Sequence, residues 1–219
     1  MPNVTPESIP RSAGYNQGVD VRFCDETDFG LGWIAAETTL LERASHALVD
    51  DGRVWLADPV DGEGVEERVR ALGVPAGVLQ LLDRHGRDCE VLAAKLGVRA
   101  HRLPFDGVEG TPFRPLPILD RRGWREVALW WPERSALVCA EAVGSGPYFV
   151  GPGERLAVHP MLRLTPPKQL RGLAPAHVLC GHGEGVHGRE AASALDEALS
   201  TAGRRAPRWL RHQLRRKKR

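Results

Sequence analysis

His46-Ala-Leu-Val-Asp-Asp-Gly-Arg-Val-Trp-Leu-Ala-Asp58 reads as a hairpin, with two apolar runs flanking the turn Asp50-Asp51-Gly52. The glycine supplies the positive φ such a turn demands. Before the hairpin, Val21 and Phe23 alternate with polar neighbours, and a Gly30/Gly32 turn leads to Trp33-Ile34-Ala35-Ala36, all strand-like. After it, Asp58-Pro59 breaks the strand. Val65, Val69 and Leu72 then recur at helical spacing and stop at Gly73, a glycine cap. Val74 to Leu82 is a continuous apolar run, as in a strand buried on both faces. Asp88 to Leu96 predicts a helix closed by Gly97, and Val98-Arg-Ala-His101 returns as strand.

The Pro-, Gly- and Asp-rich stretch 104–123 predicts a long loop. Val127-Ala-Leu-Trp-Trp and Ala136-Leu-Val-Cys-Ala form a second hairpin around Pro132-Glu-Arg-Ser, and 144–167 predicts another long loop. Ala176-His-Val-Leu-Cys180 is a last strand, and Arg189 to Leu199 a helix with Ala192, Leu195 and Leu199 on one face. Strand pairs interleaved with helices indicate a layered α/β domain over 19–203, after a Pro/Ser/Gly-rich leader at 1–18. Trp55, Trp130 and Trp131 read as core or sheet-face aromatics. Only one of the adjacent pair Trp130–Trp131 can face the core from a strand.

Composition narrows the classes. The chain has 219 residues with 42% hydrophobic and 26% charged, which excludes disordered and collagen-like proteins. No run approaches the ~18 apolar residues of a membrane span. Met1 to Pro10 carries neither a basic nor an apolar stretch, so a cytoplasmic setting is expected. Cys24, Cys89, Cys139 and Cys180 have no C-x-x-C spacing and are expected as reduced thiols. The net charge of +2 averages two unlike parts. Nine cations and no acid occupy 204–219, whereas residues 1–203 carry 21 cations against 28 anions. This basic C-terminal extension, with Pro207 suited to a helix N1 position and Trp209, Leu210 and Leu214 as an apolar stripe, is a candidate contact for nucleic acid, an anionic membrane or a neighbouring acidic subunit.

Four landmarks, in this order, resemble the metallo-β-lactamase superfamily. They are the hairpin end Val54-Trp-Leu-Ala-Asp58, the segment Leu82-Asp-Arg-His-Gly-Arg-Asp-Cys89 between strand and helix, the hairpin Val127 to Glu141, and the final Val178-Leu-Cys-Gly-His-Gly183. The resemblance spans about residues 20–200, and its strongest piece is Gly181-His182-Gly183. It implies a four-layer αββα sandwich with a metal site along the sheet edges. The implied chemistry, as in glyoxalase II-like hydrolases, is cleavage of ester- or thioester-type bonds by metal-activated water.

The family's H-x-H-x-D-H motif falls on Arg84, Gly86, Asp88 and Cys89, with His85 at a spacer position. The later ligand histidine falls near Arg122, the bridging aspartate on Glu141, and the last histidine on His182. One metal set thus loses every nitrogen donor. The other keeps donors at Asp88, Cys89, Glu141 and His182, all suited to one zinc ion. By this resemblance Asp88 and His182 are the candidate catalytic residues, and Arg84, His85 and Arg122 face a small anionic molecule. A metal-free alternative stays open, in which Arg84 and Arg122 pair with Asp88 and Glu141 and the cleft becomes an anion pocket or a scaffold surface. His177, His182 and His187, five residues apart, share neither a helix face nor a strand face and are not expected to act together.

Overall fold

The computed structural model describes residues 19–36 and 40–216, so the leader at 1–18 lies outside the described residues. Six strands form one sheet in chain order: β1 (Val21–Thr27), β2 (Gly30–Ala35), β3 (Ala44–Asp50), β4 (Arg53–Ala57), β5 (Val74–Gln80) and β6 (Ala100–Arg102). β1 to β4 pair antiparallel in succession. β4, β5 and β6 pair parallel, and the crossovers this requires are α1 (Val65–Leu72) and α2 (Cys89–Leu96). The hairpin read at His46–Asp58 is β3–β4, paired from His46↔Ala57 to Asp50↔Arg53.

Period-two alternation then decides the layers. In β4, Val54 and Leu56 join the core under α1 and α2, while Trp55 and Ala57 join the core facing the second sheet. β3 and β5 divide the same way, with Ala47 and Val78 on the helix side and Leu48 and Leu79 on the sheet side. These strands are apolar on both faces because both faces are covered.

The second sheet has the order β13-β12-β9-β8-β7, with β7 (Arg114–Arg121), β8 (Trp124–Trp131), β9 (Ala136–Cys139), β12 (His177–Cys180) and β13 (Val186–His187). A small pair, β10 (Val143–Gly144) and β11 (Ala157–Val158), stands apart. α3 (Arg189–Arg216) packs Ala191, Ala194, Leu195, Ala198, Leu199 and Ala202 against this side of the molecule, completing an α/β sandwich of helix, sheet, sheet and helix. Trp131 is buried in the central core, and Trp130 is half-buried against it. All four cysteines are free thiols. Among the described residues no helix is long and apolar enough to cross a membrane.

Two expectations need correction. The stretch 104–123 is not all loop, because its second half is β7, paired with β8 from Arg114↔Trp130 to Arg121↔Trp124. Pro115 and Pro117 argue against a central strand. β7 is an edge strand, however, where a missing N–H costs no ladder bond, and a register shift between Pro117 and Leu119 absorbs the rest. Pro207 does not begin a helix either; it lies inside α3. Tertiary contacts carry the helix past it. Trp209 Nε1 donates to Tyr148 O at 3.0 Å, and Gln213 Nε2 to Pro147 O at 2.8 Å.

Candidate functional site

β4 and β5 run parallel, as do β9 and β12, and the turns beyond their C-terminal ends meet at one edge of the sandwich. Asp58 follows β4, His85 lies between β5 and α2, Glu141 follows β9, and His182 follows β12. Backbone approach is close here. A Cβ on Gly181 would meet Ala140 O at 2.5 Å, and one on Gly183, whose φ is +83°, would meet Gly146 N at 2.3 Å. The glycines on either side of His182 are therefore what lets its turn seat against the neighbouring strand ends.

His85, Glu141 and His182 each bring a ligand-type atom within 4.8 Å of the others. His85 Nε2 is 3.2 Å from His182 Nε2 and 3.3 Å from Glu141 Oε1, and His182 Nε2 is 3.7 Å from that same oxygen. Both imidazoles are held from behind. His85 Nδ1 donates to Asp58 Oδ2 at 2.8 Å, and His182 Nδ1 donates to Leu41 O at 2.9 Å. With those protons fixed on Nδ1, both Nε2 atoms are lone-pair acceptors in the neutral rings. Three acceptors thus face one point, which calls for a metal ion or a shared proton. A carboxylate behind a ligating imidazole is also the usual outer support of a zinc ligand. The donor set fits one zinc ion.

The surrounding charge is arranged around Glu141. Burial raises its carboxyl, but the neighbouring His182 and His85 imidazoles and the charge of Arg84 outweigh burial and hold it well below the usual range. Arg84 pairs with Glu141 Oε2, donates to Gly123 O, and lies 4.4 Å above the Trp124 ring. Burial lowers His182, with Glu141 partly opposing. Behind Glu141, fully buried Glu126 accepts from Glu141 N at 2.9 Å, Ala142 N at 2.7 Å and Trp124 Nε1 at 2.9 Å. Burial raises the Glu126 carboxyl despite those three bonds.

Arg87 supplies a second cation. Its guanidinium donates to Asp58 O and Gly181 O, each at 2.8 Å, and to Ala44 O, and lies 3.5 Å from His85 Nε2. The residue as a whole is half-buried, but its Nε is shut off from solvent and burial pulls the guanidinium pKa down. Asp58 and Arg87 both have positive φ, +45° and +36°, a backbone strain that non-glycine residues rarely carry and that clusters at functional sites.

No family model matches the sequence, and no curated protein does. Solved structures do match. The metallo-β-lactamase DIM-1 superposes with a TM-score of 0.54 at 12% identity, over 85% of this chain and 100% of that one. FIM-1 from Pseudomonas aeruginosa, in its mono-zinc form, gives 0.53 at 10% identity, over 85% and 98%. The chain has the metallo-β-lactamase fold.

Within that fold the structure unites Glu141 and His182, as the resemblance implies, and adds His85. It does not bring Asp88 or Cys89 to them. Asp88 Oδ2 accepts from Asp61 N at 2.9 Å, and the Cys89 thiol is buried with Leu92 and Val65 in the core under the helices, its pKa raised by burial. Arg122 lines a cleft of about 790 Å³ together with Arg84, Arg121, Lys168 and Arg171. His177 pairs with His187 at 2.9 Å, and His187 in turn with Asp25, not with His182.

Glu126 and His159 carry no motif signal, and Asp58 and Arg87, although inside landmark segments, are not among the candidate site residues of the sequence reading. His159 lies 3.8 Å from Glu141 Oε2, packed against Trp124 and Phe149. Burial lowers its pKa to about 4. From the ordinary histidine value near 6.5 down to 4, the unfolded chain takes up a proton that the folded chain refuses, so stability falls as pH falls. At pH 5 this amounts to about 2 kcal/mol. Urea unfolding at pH 7.5 and pH 5 is expected to show that His159→Asn shrinks the difference between the two pH values by about that amount; an unchanged difference removes His159 as its source.

Proposed function

We propose that this protein is a divergent metallo-β-lactamase-fold hydrolase-like protein that binds at most one metal ion, held by His85, Glu141 and His182. The observation that carries the proposal is the convergence of two imidazole lone pairs and one carboxylate oxygen on a single point, with both rings fixed from behind. Zinc suits this donor set and would supply a Lewis acid for cleaving an ester- or thioester-type bond. Arg87 occupies the neighbouring position as a fixed guanidinium, which supports one ion rather than two. Arg84 links the centre to the basic cleft, where Arg122, Arg121 and Lys168 favour a small anionic substrate. The His159 imidazole lies 3.8 Å from Glu141 Oε2, beyond hydrogen-bond reach, and burial disfavours its charged form. Free thiols fit a cytoplasmic setting.

A second reading has its own support. Arg84 already pairs with the Glu141 carboxylate and His85 with that of Asp58, while Arg87 adds a second cation beside them, so a metal-free centre can hold one proton among His85, His182 and Glu141 and act as an anion pocket. Metal analysis of protein purified without added metal or chelator separates the two. The hydrolase proposal expects about one equivalent of zinc, lost in His182→Ala and in His85→Ala. Protein that carries no metal, takes up none on zinc titration and melts identically with and without chelator would establish the metal-free pocket instead.

A further inference from the structure

The last three turns of α3 form a surface that the proposed chemistry does not use. Arg204, Arg208, Arg211 and Arg215 recur at steps of four, three and four residues, so they form one ridge on the helix. All four are exposed. Among the described residues, only Arg205 of this segment has an acidic partner, Glu197. The ridge borders a depression of about 400 Å³ lined by Pro152, Arg208, Arg211, His212 and Arg215. At 1.5 Å per residue it is about 16 Å long, the length of about five nucleotides of one strand.

The helix is held rigidly from the other side. Trp209 and Gln213 anchor it to the carbonyls of Tyr148 and Pro147, and the Arg163 guanidinium lies 5.4 Å from the Trp209 ring centre. Its apolar stripe, from Ala191 to Ala202, is already buried in the core. That decides between occupants. A helix lying in a membrane interface needs a free apolar face to insert. Here only Leu210 and Leu214, each about half exposed, remain beside the ridge.

We propose that the Arg204–Arg208–Arg211–Arg215 ridge is a docking surface for the phosphate backbone of nucleic acid, sequence-independent and separate from the His85–Glu141–His182 centre. Residues 1–203 are net acidic, so the chain's excess positive charge lies in this helix and in Lys217, Lys218 and Arg219 after it. Charge complementarity with no acid in the segment argues for a polyanion.

The test is fluorescence anisotropy of full-length protein with labelled single-stranded RNA and duplex DNA between 50 and 200 mM salt. Four phosphate contacts predict an affinity loss of roughly 50-fold for the single strand and 150-fold for the duplex over that range. The triple variant Arg208→Gln, Arg211→Gln, Arg215→Gln alters only exposed side chains and should keep its melting temperature. It should weaken binding more than tenfold at 50 mM salt and flatten the salt slope by about three contacts. Leu210→Ser with Leu214→Ser should leave binding unchanged. No binding at 50 mM salt, or binding that the arginine variant does not weaken, overturns the proposal. So does binding to phosphatidylserine-containing vesicles alone, lost in the leucine variant, or low-salt self-association in sedimentation that the arginine variant abolishes.

Discussion

Glu126→Leu is expected to cost about 3–5 kcal/mol of folding stability. The side chain is fully buried and accepts three hydrogen bonds, from Trp124 Nε1 and from the backbone N–H groups of Glu141 and Ala142. Leucine fills similar space and accepts nothing, so three buried donors lose their partner at about 1–3 kcal/mol each, less what relaxation recovers. Glu126→Gln makes a graded companion. Its carbonyl oxygen keeps the two backbone bonds, while its amide faces the indole donor and loses the third, for about 1–2 kcal/mol. Urea unfolding midpoints should therefore order wild type above Gln above Leu. If Leu and Gln cost the same, the backbone bonds of Glu126 are not what holds the turn after β9. Because those bonds fix the N–H of Glu141, the Leu variant should also lose whatever binds at His85, Glu141 and His182.

The second large effect belongs to Arg87→Met, expected to cost about 2–4 kcal/mol. Methionine keeps the length of the arm and removes three charge-assisted bonds to Ala44 O, Asp58 O and Gly181 O. Those carbonyls come from both sheets, and two of them retain another donor, since Ala44 N bonds Gly181 O and Ser45 Oγ bonds Asp58 O. That retention keeps the figure below the cost of a wholly uncompensated buried charge. Losing a fixed cation beside His85 Nε2 should at the same time tighten zinc binding, because Coulomb repulsion between guanidinium and metal is removed. Isothermal titration with zinc checks the sign. A variant that is less stable and binds zinc more weakly would show that Arg87 supports the metal position instead of competing with it.

Much of this arrangement was legible residue by residue. The turn glycine at Gly52, the unbroken apolar runs and the period of Val65, Val69 and Leu72 placed the strands and helices around the site, because local chemistry and covered faces leave a direct mark on sequence. Glu141 and His182 are implied by the resemblance, whose landmarks are the readable strands that precede them. His85 reads as a spacer because the motif is anchored on Asp88, and nothing local reveals that His85 rather than Asp88 faces Glu141 and His182. Glu126 and His159 left no trace at all. A buried acid in a strand and a histidine in a Pro/Gly-rich stretch look the same in sequence whether they face solvent or each other's neighbours. β7 was hidden for a different reason, since its prolines are acceptable only at an edge, and edge position is set by strand order.

By itself the sequence determined the alternation of strands and helices and a basic C-terminal segment set against an acidic body, consequences of near-neighbour spacing and side-chain type, while the resemblance to a known family supplied two of the three converging side chains. The folded chain alone decided that His85, and neither Asp88 nor Cys89, completes the cluster, that Arg87 lies beside it, and that α3 turns its arginines outward. Those outcomes depend on which strand ends meet across two sheets, over separations of up to 97 residues between His85 and His182. Such contacts are fixed by packing and chain topology, which no short window of sequence encodes.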